Sequence, residues 1–512
     1  MEPDSQLLES FRNEVLGTVP HVEETESGRR VVNPTPLLDI TQDVKECARA
    51  VYGIDLSGVD FSVFGKLESR IRGGSVKTRP AVEIIMDAIS SGRLRRGQLI
   101  FEATSGNFGI ALGELACLGF RVIALVSRRL QEGVFEELRR ENVAAVDLDV
   151  DICPAPGSLA DSDALAAKAA ATNLRSQLLA AGLDAGPFDS ARGEIEGLLA
   201  RQDVIGLAKL LARAYGGFCP EQYDNELNVR AHEWVTGPEI DGQLAEIGLS
   251  LSDARVVCAF GTGGTSLGLS RYLAKRYGRK AVHVVFPLSG QDVAGIRTRE
   301  RASGLRFYTP EAYAGQHEVD FEQARRVLRF FVERGHDIGE SSALVIYAVI
   351  QMLNFGLGGR YVLILADGAS KYLKPGKIAV ETRHEVSLQE AVSAAGRYGS
   401  VVWTHTAFVP NEEGLNLIAE ALGCERWKVK VAQPAEVERL VARGDVPDGL
   451  KSLLGDGSGD VLLVCLAGGT SLRAAKLLSE RGLRAQSLTG GISAITQARG
   501  RPIQMFVVPA SR

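Results

Sequence analysis

Between Phe61 and Asp367 the chain alternates short β-branched apolar runs with segments whose apolar residues recur at helical spacing. "QLIFEATSGNFGIALGELACLGFRVIALVS" and "ARVVCAFGTGGTSLGLSRYLAKRYGRKAVHVVFPL" both read as strand, glycine-containing turn, amphipathic helix, strand. That is the βαβ signature of a mostly parallel sheet. From about 154 to 217 the pattern changes. "DALAAKAAATNLRSQLLAAG" and "IEGLLARQDVIGLAKLLARAYGG" are rich in Ala and Leu, hold no strand, and predict inserted helices packed on the sheet core. A second shift falls at "KPGKIAVETRHEVS", after which a new αβ pattern runs to the end. The expected organisation is a polar, acidic, loosely attached arm over 1–33, a main α/β unit over 34–380, and a smaller α/β unit over 381–512.

Composition changes this picture little. With 512 residues, 45% apolar and 24% charged, the chain has the make-up of an ordinary globular protein. A net charge of −5 with both signs interspersed argues against nucleic acid as partner and offers no basic face to a membrane. "MEPDSQLLESFRNEV" carries acids where a signal peptide needs positive charge, and no run reaches the ~18 apolar residues of a membrane span. Seven scattered cysteines do not form a disulfide framework, so reduced thiols in the cytoplasm are expected. No metal-ligand spacing stands out.

The candidate chemistry sits in the turns. Lys77 follows Gly-Gly-Ser-Val and precedes a helix opened by Pro80. Alone it would be a solvated surface lysine; the neighbouring loops change the odds. "EATSGNFGIAL" puts Thr104, Ser105, Gly106 and Asn107 between a strand and a helix, where N–H groups and short hydroxyls can hold a carboxylate. Gly261, Thr262, Gly263, Gly264 and Thr265 occupy the same kind of place. Their converging N–H groups and two hydroxyls suit a phosphate dianion, though the Lys-Ser/Thr ending of a nucleotide P-loop is missing. "GESSALVIYAV" adds Ser341 and Ser342, for which helix capping is the plain reading.

In this order "NPTPLL", "GGSVKTRPA", "TSGNFGIAL", "QYDNELNVRAHEWVTGPEI", "GTGGTSLG" and "ADGASKYL" resemble segments of the fold type II (tryptophan synthase β-like) pyridoxal-phosphate enzymes, and among them the cysteine synthases and O-phosphoserine sulfhydrylases. The resemblance covers about Pro34 to Leu373. It implies an α/β fold of two parallel-sheet subdomains, pyridoxal 5'-phosphate as cofactor, and a homodimer. It implies that Lys77 holds the cofactor as a Schiff base and that Asn107 hydrogen-bonds its ring 3-oxygen. Gly261 to Thr265 would cradle the phosphate, Ser341 would face the pyridine nitrogen, and Thr104, Ser105 and Gln222 would receive the substrate carboxylate. The implied reaction is β-replacement on an activated serine, O-phosphoserine or O-acetylserine, through aminoacrylate. Three positions depart from the family pattern: Thr78 for Asp, Phe108 for Thr and Ala343 for Gly. Phe108 is expected to narrow or dry the substrate loop. In "AGIRTRERASG", Arg297 or Arg299 could fork onto a substrate phosphate, against the alternative of a solvated charge run.

Near the C-terminus "VCLAGGTSLRAAKLLSERGLRAQSLTGGISAI" resembles the end of a rhodanese domain, with Cys465 at a strand end, a six-residue loop, a helix, a strand and a Gly-Gly-Ile turn. N–H groups from Leu466 to Ser471 and the following helix N-terminus would stabilise a thiolate or persulfide there; a buried structural cysteine is the plain alternative. The loop lacks the cationic side chains of thiosulfate-using members, which favours a persulfide or a sulfur-carrier protein as donor. The leading expectation is a β-replacement enzyme fed with sulfur through Cys465, making cysteine or a related thio-amino acid. The alternatives are a cysteine β-lyase that passes released sulfur to Cys465, and a C-terminal docking module with an inert cysteine.

Overall fold

A computed structural model describes residues 4–25, 28–127, 130, 132–148, 164–372, 384–406, 408–454, 459–465, 468–499 and 505–507. The elements that position the site are, in chain order, α1 (Ser5–Glu14), β1 (Leu37–Asp39), β2 (Phe61–Leu67), α2 (Thr78–Ser90), β3 (Leu99–Ala103), α3 (Asn107–Glu114), β4 (Arg121–Ser127), α4 (Glu132–Arg140) and β5 (Ala144–Leu148). Three inserted helices follow, α5 (Ala164–Ala180), α6 (Ala185–Ala200) and α7 (Val204–Ala214). Then come α8 (Gly237–Glu246), β6 (Ala254–Ala259), α9 (Gly264–Tyr277), β7 (Val282–Pro287), β8 (Gly315–Val319), α10 (Glu340–Asn354) and β9 (Gly359–Leu365).

These strands make two sheets. The larger has the order β8-β7-β6-β9-β2-β1, parallel except for β1, which runs antiparallel to β2. The smaller is the parallel trio β3-β4-β5. Both faces of the large sheet are covered, so its strands read as continuous apolar runs rather than alternating ones. Val256 and Val257 are adjacent on β6, point to opposite faces, and are both fully buried. Helix α10 is buried on every side, which is why its sequence lacks an amphipathic stripe. The inserted helices pack their apolar stripes into the core of the small sheet, and Phe218 extends that sheet by pairing with β3.

The first residues are not a loose arm. Leu7, Phe11, Val15 and Val19 recur every four residues and are buried in the small-sheet core, against α2. Acidic composition hid that stripe. Asp4 caps α1 by accepting a hydrogen bond from the Leu7 N–H at 2.9 Å.

Beneath the two subdomains lies a buried ionic quartet that holds α2 in place. Lys66 on β2 donates to Glu239 on α8 at 2.5 Å. Arg79 on α2 donates to Glu68 and to Glu239, both at 2.6 Å. All four side chains are essentially inaccessible, and Thr35 completes the network. Two cations face two anions, so the cluster is neutral. Burial works against the Glu68 carboxylate, and Arg79 more than offsets it, holding its pKa below the ordinary value.

The C-terminal unit is a second parallel α/β layer. Its strands β10 (Glu385–Val386), β11 (Tyr398–Trp403), β12 (Val429–Val431), β13 (Asp460–Val464) and β14 (Ala485–Leu488) lie in the order β10-β14-β13-β11-β12. Helix α11 (Gly469–Ser479) follows β13 and packs on β14. The expected boundary near 380 falls outside the described residues. Among the described residues no helix is long and apolar enough to cross a membrane, and no group of His, Cys, Asp and Glu is arranged to hold a metal ion.

Candidate active site

Lys77 ends a glycine-rich loop stitched to the end of β9. The Val76 N–H donates to Ala366 O at 2.8 Å, and Ser75 pairs with Asp367 as an isolated antiparallel bridge. The loop therefore turns Lys77 into a cavity whose walls also include Cys258, Gly261, Thr262, Gly263, Thr265 and Ile296. Burial pulls the Lys77 ammonium down to about 8; Asp367 opposes this and Arg297 assists it. Against an ordinary lysine, the neutral fraction at pH 7 rises from roughly 1 in 3000 to about 1 in 10. An amine in that state can add to a carbonyl carbon.

The wall opposite Lys77 is the start of α9. Gly263 precedes the helix with φ +91°, a left-handed conformation, and no side chain caps the first N–H groups. A β-carbon at Gly264 would sit 2.1 Å from Asn228 Oδ1, so only glycine fits. Two side chains that sequence reasoning did not single out position the hydroxyls. Asn228 Nδ2 donates to Thr262 Oγ1 at 3.0 Å and to Gln222 O at 2.7 Å. His232 bridges Thr265 Oγ1 at 3.1 Å and Thr236 Oγ1 at 3.0 Å, and burial keeps its ring neutral, with a pKa well below the ordinary value. An uncapped helix N-terminus, hydroxyls and a buried amine suit a phosphate ester bearing an aldehyde, so the residues present fit pyridoxal phosphate. Ser341 and Ser342 are buried in the first turn of α10.

Across the cleft, the turn from β3 to α3 carries Thr104, Ser105, Gly106 and Asn107. Gly106 has φ +113°, and a β-carbon there would strike Val134 Cγ1 of α4 at 2.2 Å. Thr104 Oγ1 accepts from the Gly106 N–H at 3.0 Å and the Gly109 N–H at 3.3 Å, so this hydroxyl shapes its own loop. Gln222 donates to Ala103 O at 3.1 Å. Behind it, burial pushes the Glu102 carboxyl up to about 8. Asn107 is held across the cleft by Lys371 and Asp367, neither of which sequence reasoning singled out. Phe108 packs into the small-sheet core rather than the substrate loop, because α3 turns that side of the helix inward. Thr78 donates to Arg72 O within the lysine loop, and Ala343 is buried.

The two candidate arginines part company. Arg297 is buried, donates to Tyr223 OH at 2.9 Å, and lies close enough to Lys77 to lower its pKa. Its loop passes over the substrate turn, with a Gly295 β-carbon falling 3.1 Å from Ser105 Oγ. Arg299 stands on the short helix Arg299–Ala302, half-exposed, 3.7 Å from Glu318. The structure brings Arg297 to the cleft and leaves Arg299 outside it.

Cys465 directly follows β13 and is buried. Its Sγ accepts from the Gly468 N–H at 3.2 Å, the Ser471 N–H at 3.4 Å and the Ser471 hydroxyl at 3.2 Å, and Ser471 also meets Ser487 Oγ at 2.8 Å. Leu466 and Ala467 lie outside the described residues. Gly468, φ +89°, opens α11 without a side-chain cap. From α11, the Arg473 guanidinium lies 3.9 Å over the ring of Phe135 on α4, which joins the C-terminal unit to the small subdomain.

Against known proteins, the chain matches the family described as "Pyridoxal-phosphate dependent enzyme" over residues 30–187 and 193–367. A cysteine synthase of Staphylococcus aureus is 25% identical over 362 residues, 67% of this chain and 94% of that protein. Cysteine synthase B of Pseudomonas aeruginosa is 27% identical over 313 residues, 61% of this chain and 87% of that protein. Among solved structures, an O-ureido-L-serine synthase aligns with a TM-score of 0.51 at 21% identity, covering 76% of this chain and 99% of that one. That likeness concerns the fold. The family match spans both sheets and every loop around Lys77, and the chain belongs to the pyridoxal-phosphate-dependent enzymes.

Proposed function

We propose that the chain carries out β-replacement on an activated serine, with O-phosphoserine ahead of O-acetylserine as donor, to give cysteine or a related thio-amino acid. One juxtaposition carries this reading: Lys77 and the uncapped start of α9 line one cavity, and the Gly295–Arg297 loop on that cavity's wall also meets Ser105 of the Thr104–Asn107 turn. Bound there, pyridoxal phosphate supplies an electron sink that labilises the bonds at the amino acid's α-carbon and β-carbon. The chain supplies the rest. Thr104, Ser105 and Gln222 orient the substrate carboxylate, and Lys77 Nζ takes the α-proton. Gly261 to Thr265 hold the cofactor phosphate, Ser341 faces the pyridine nitrogen, and Asn107 faces the ring oxygen. Buried Arg297 receives the leaving phosphate, since a guanidinium matches a phosphate edge with two parallel N–H donors. The relatedness to cysteine synthases supports a sulfur nucleophile.

The C-terminal unit, in this reading, is rhodanese-like and delivers the sulfur. Three donors converge on Cys465 Sγ at the start of an uncapped helix, an arrangement that stabilises a thiolate and its persulfide. The donor is then a persulfide, free or on a sulfur-carrier protein; the terminal sulfur of the Cys465 persulfide adds to the β-carbon that the phosphate has left, and an external thiol reduces the resulting Cys465–product disulfide to release the product. The working particle is a homodimer in the cytoplasm. The test compares wild type with Cys465→Ser, using free sulfide and a persulfide donor alongside O-phosphoserine. Loss of persulfide-driven turnover with free sulfide spared supports delivery through Cys465. Equal use of every donor by the variant overturns it and leaves the unit as a docking module. Sulfide release from cysteine, with no product from O-phosphoserine, would overturn β-replacement in favour of a β-lyase.

A further inference from the structure

The Asn107 side chain is gripped at both ends, from the opposite side of the cleft. Asn107 opens α3 on the small subdomain. Its Oδ1 accepts from Lys371 Nζ at 2.7 Å, and its Nδ2 donates to Asp367 Oδ2 at 2.8 Å. Both partners follow β9 of the large sheet. A lysine ammonium only donates and a carboxylate only accepts, so the chemistry of the partners fixes which end of the amide is which. Each partner is itself held. Lys371 also donates to Gly74 O at 3.3 Å, in the loop that leads to Lys77. Asp367 accepts the Tyr372 hydroxyl, its segment bridges Ser75, and Gly339 leaves no room beside it, since a β-carbon there would sit 2.1 Å from Oδ1. Lys371 and Asp367 are both buried.

We propose that Lys371 and Asp367 are positioning residues that clamp the Asn107 amide across the cleft, presenting one Nδ2–H to the cofactor's ring 3-oxygen. An amide nitrogen carries two hydrogens, and Asp367 takes one. The second leaves the nitrogen about 120° away in the amide plane; the Tyr372 hydroxyl also interacts with this amide, and the ring oxygen of bound cofactor would compete with it for that hydrogen. Without Lys371 the amide can turn over and offer its oxygen instead, which would repel an anionic ring oxygen. The clamp also ties the subdomain bearing Asn107 to the loop bearing Lys77, so it sets the cleft width at which the cofactor binds. This rests on reading Asn107 as the partner of the ring oxygen.

The experiment is an absorbance titration of the cofactor-free protein with pyridoxal phosphate, for wild type, Lys371→Met, Lys371→Arg and Asn107→Ala, each checked for folding by circular dichroism. Lys371→Met is expected to bind at least about tenfold more weakly, the loss of one charge-assisted hydrogen bond. Its bound spectrum should shift from the ~410 nm band of the ionised ring oxygen toward the ~330 nm band of the protonated one. Lys371→Arg, which keeps the donor, should recover most of both. A merely structural lysine would lower the melting temperature without moving the band ratio. Should Lys371→Met not fold, Lys371→Gln, neutral but still a donor, takes its place, with an intermediate spectrum expected. Wild-type affinity and spectrum in the Met or Gln variant, with Asn107→Ala impaired, would overturn the clamp. An unimpaired Asn107→Ala would overturn both the clamp and the reading of Asn107 beneath it.

Discussion

Glu239→Gln should destabilise the pyridoxal-phosphate unit strongly, although Glu239 lies outside the cleft. Its Oε1 accepts from Lys66 at 2.5 Å and from the Thr35 N–H at 2.7 Å, and its Oε2 accepts from Arg79 at 2.6 Å. The amide keeps the size but removes the charge, so a neutral buried quartet becomes a cluster of charge about +1. At an effective dielectric of about 20, each of the two close ion pairs is worth roughly 6–7 kcal/mol gross. Desolvation of the partners cancels much of that, and breaking one side of a buried pair costs about 3–5 kcal/mol net. For a unit of this size the melting transition should fall by about 4–7 °C. The assay is thermal and urea unfolding followed by far-ultraviolet circular dichroism, because two of the three tryptophans, Trp403 and Trp427, sit in the C-terminal unit and would mix its transition with that reported by Trp234 in fluorescence. Lys66→Met added to Glu239→Gln restores neutrality, and the double variant should be more stable than the sum of the singles by at least about 1 kcal/mol. A shift under about 2 °C for Glu239→Gln, or plain additivity in the double variant, would refute the argument that charge balance holds α2 in place.

Three further outcomes follow from the geometry. Imine formation between the cofactor-free protein and pyridoxal phosphate should rise with pH to a midpoint near 8, because the neutral Lys77 amine is the nucleophile; Arg297→Leu should move that midpoint upward, a stopped-flow pH series provides the check, and Lys77→Ala should form none. Arg297→Ala should weaken O-phosphoserine by roughly 1.5–3 kcal/mol relative to O-acetylserine while Arg299→Ala leaves the ratio unchanged, and equal effects of the two variants on both donors would remove the phosphate-binding role. His283 on β7 shares a 3.0 Å hydrogen bond with His317 on β8, and burial first, then His317, lowers its pKa to about 4. Folded protein then binds fewer protons than unfolded chain between about 4 and 6.5, so this stability is complete above about 6.5 and drains away as pH falls toward 4. Urea midpoints at pH 7 and pH 5 should converge in His283→Leu.

How much of the site was visible in the chain depends on how far apart its parts lie. Lys77 with its glycines, the Thr104–Asn107 turn and the Gly261–Thr265 turn are each complete within a dozen residues. Each is announced by an apolar run before it and a helical pattern after it. Asn228, His232, Asp367 and Lys371 lay inside stretches that stood out, yet their roles did not. An Asn in a helix or a Lys beside a Tyr has no meaning until its partner is known. The stripe of Leu7, Phe11, Val15 and Val19, which starts on α1 and runs past it, was legible by spacing but masked by acidic neighbours.

The sequence by itself determined the α/β class, the succession of strand, turn and helix, the three glycine-bearing turns and the strand-end thiol. These are set by periodicity and by local backbone chemistry, both of which act between neighbours. Only the tertiary structure decided between Arg297 and Arg299, which are two residues apart and chemically alike. The choice lay in which one Tyr223 and the cleft received. It also sent Phe108 inward, closed the quartet between Arg79 and Glu239 across 160 residues, and set Lys371 on Asn107 across 264. Such contacts depend on how two sheets settle against each other. That is fixed by the sum of many weak packing energies, and no single motif along the chain records it.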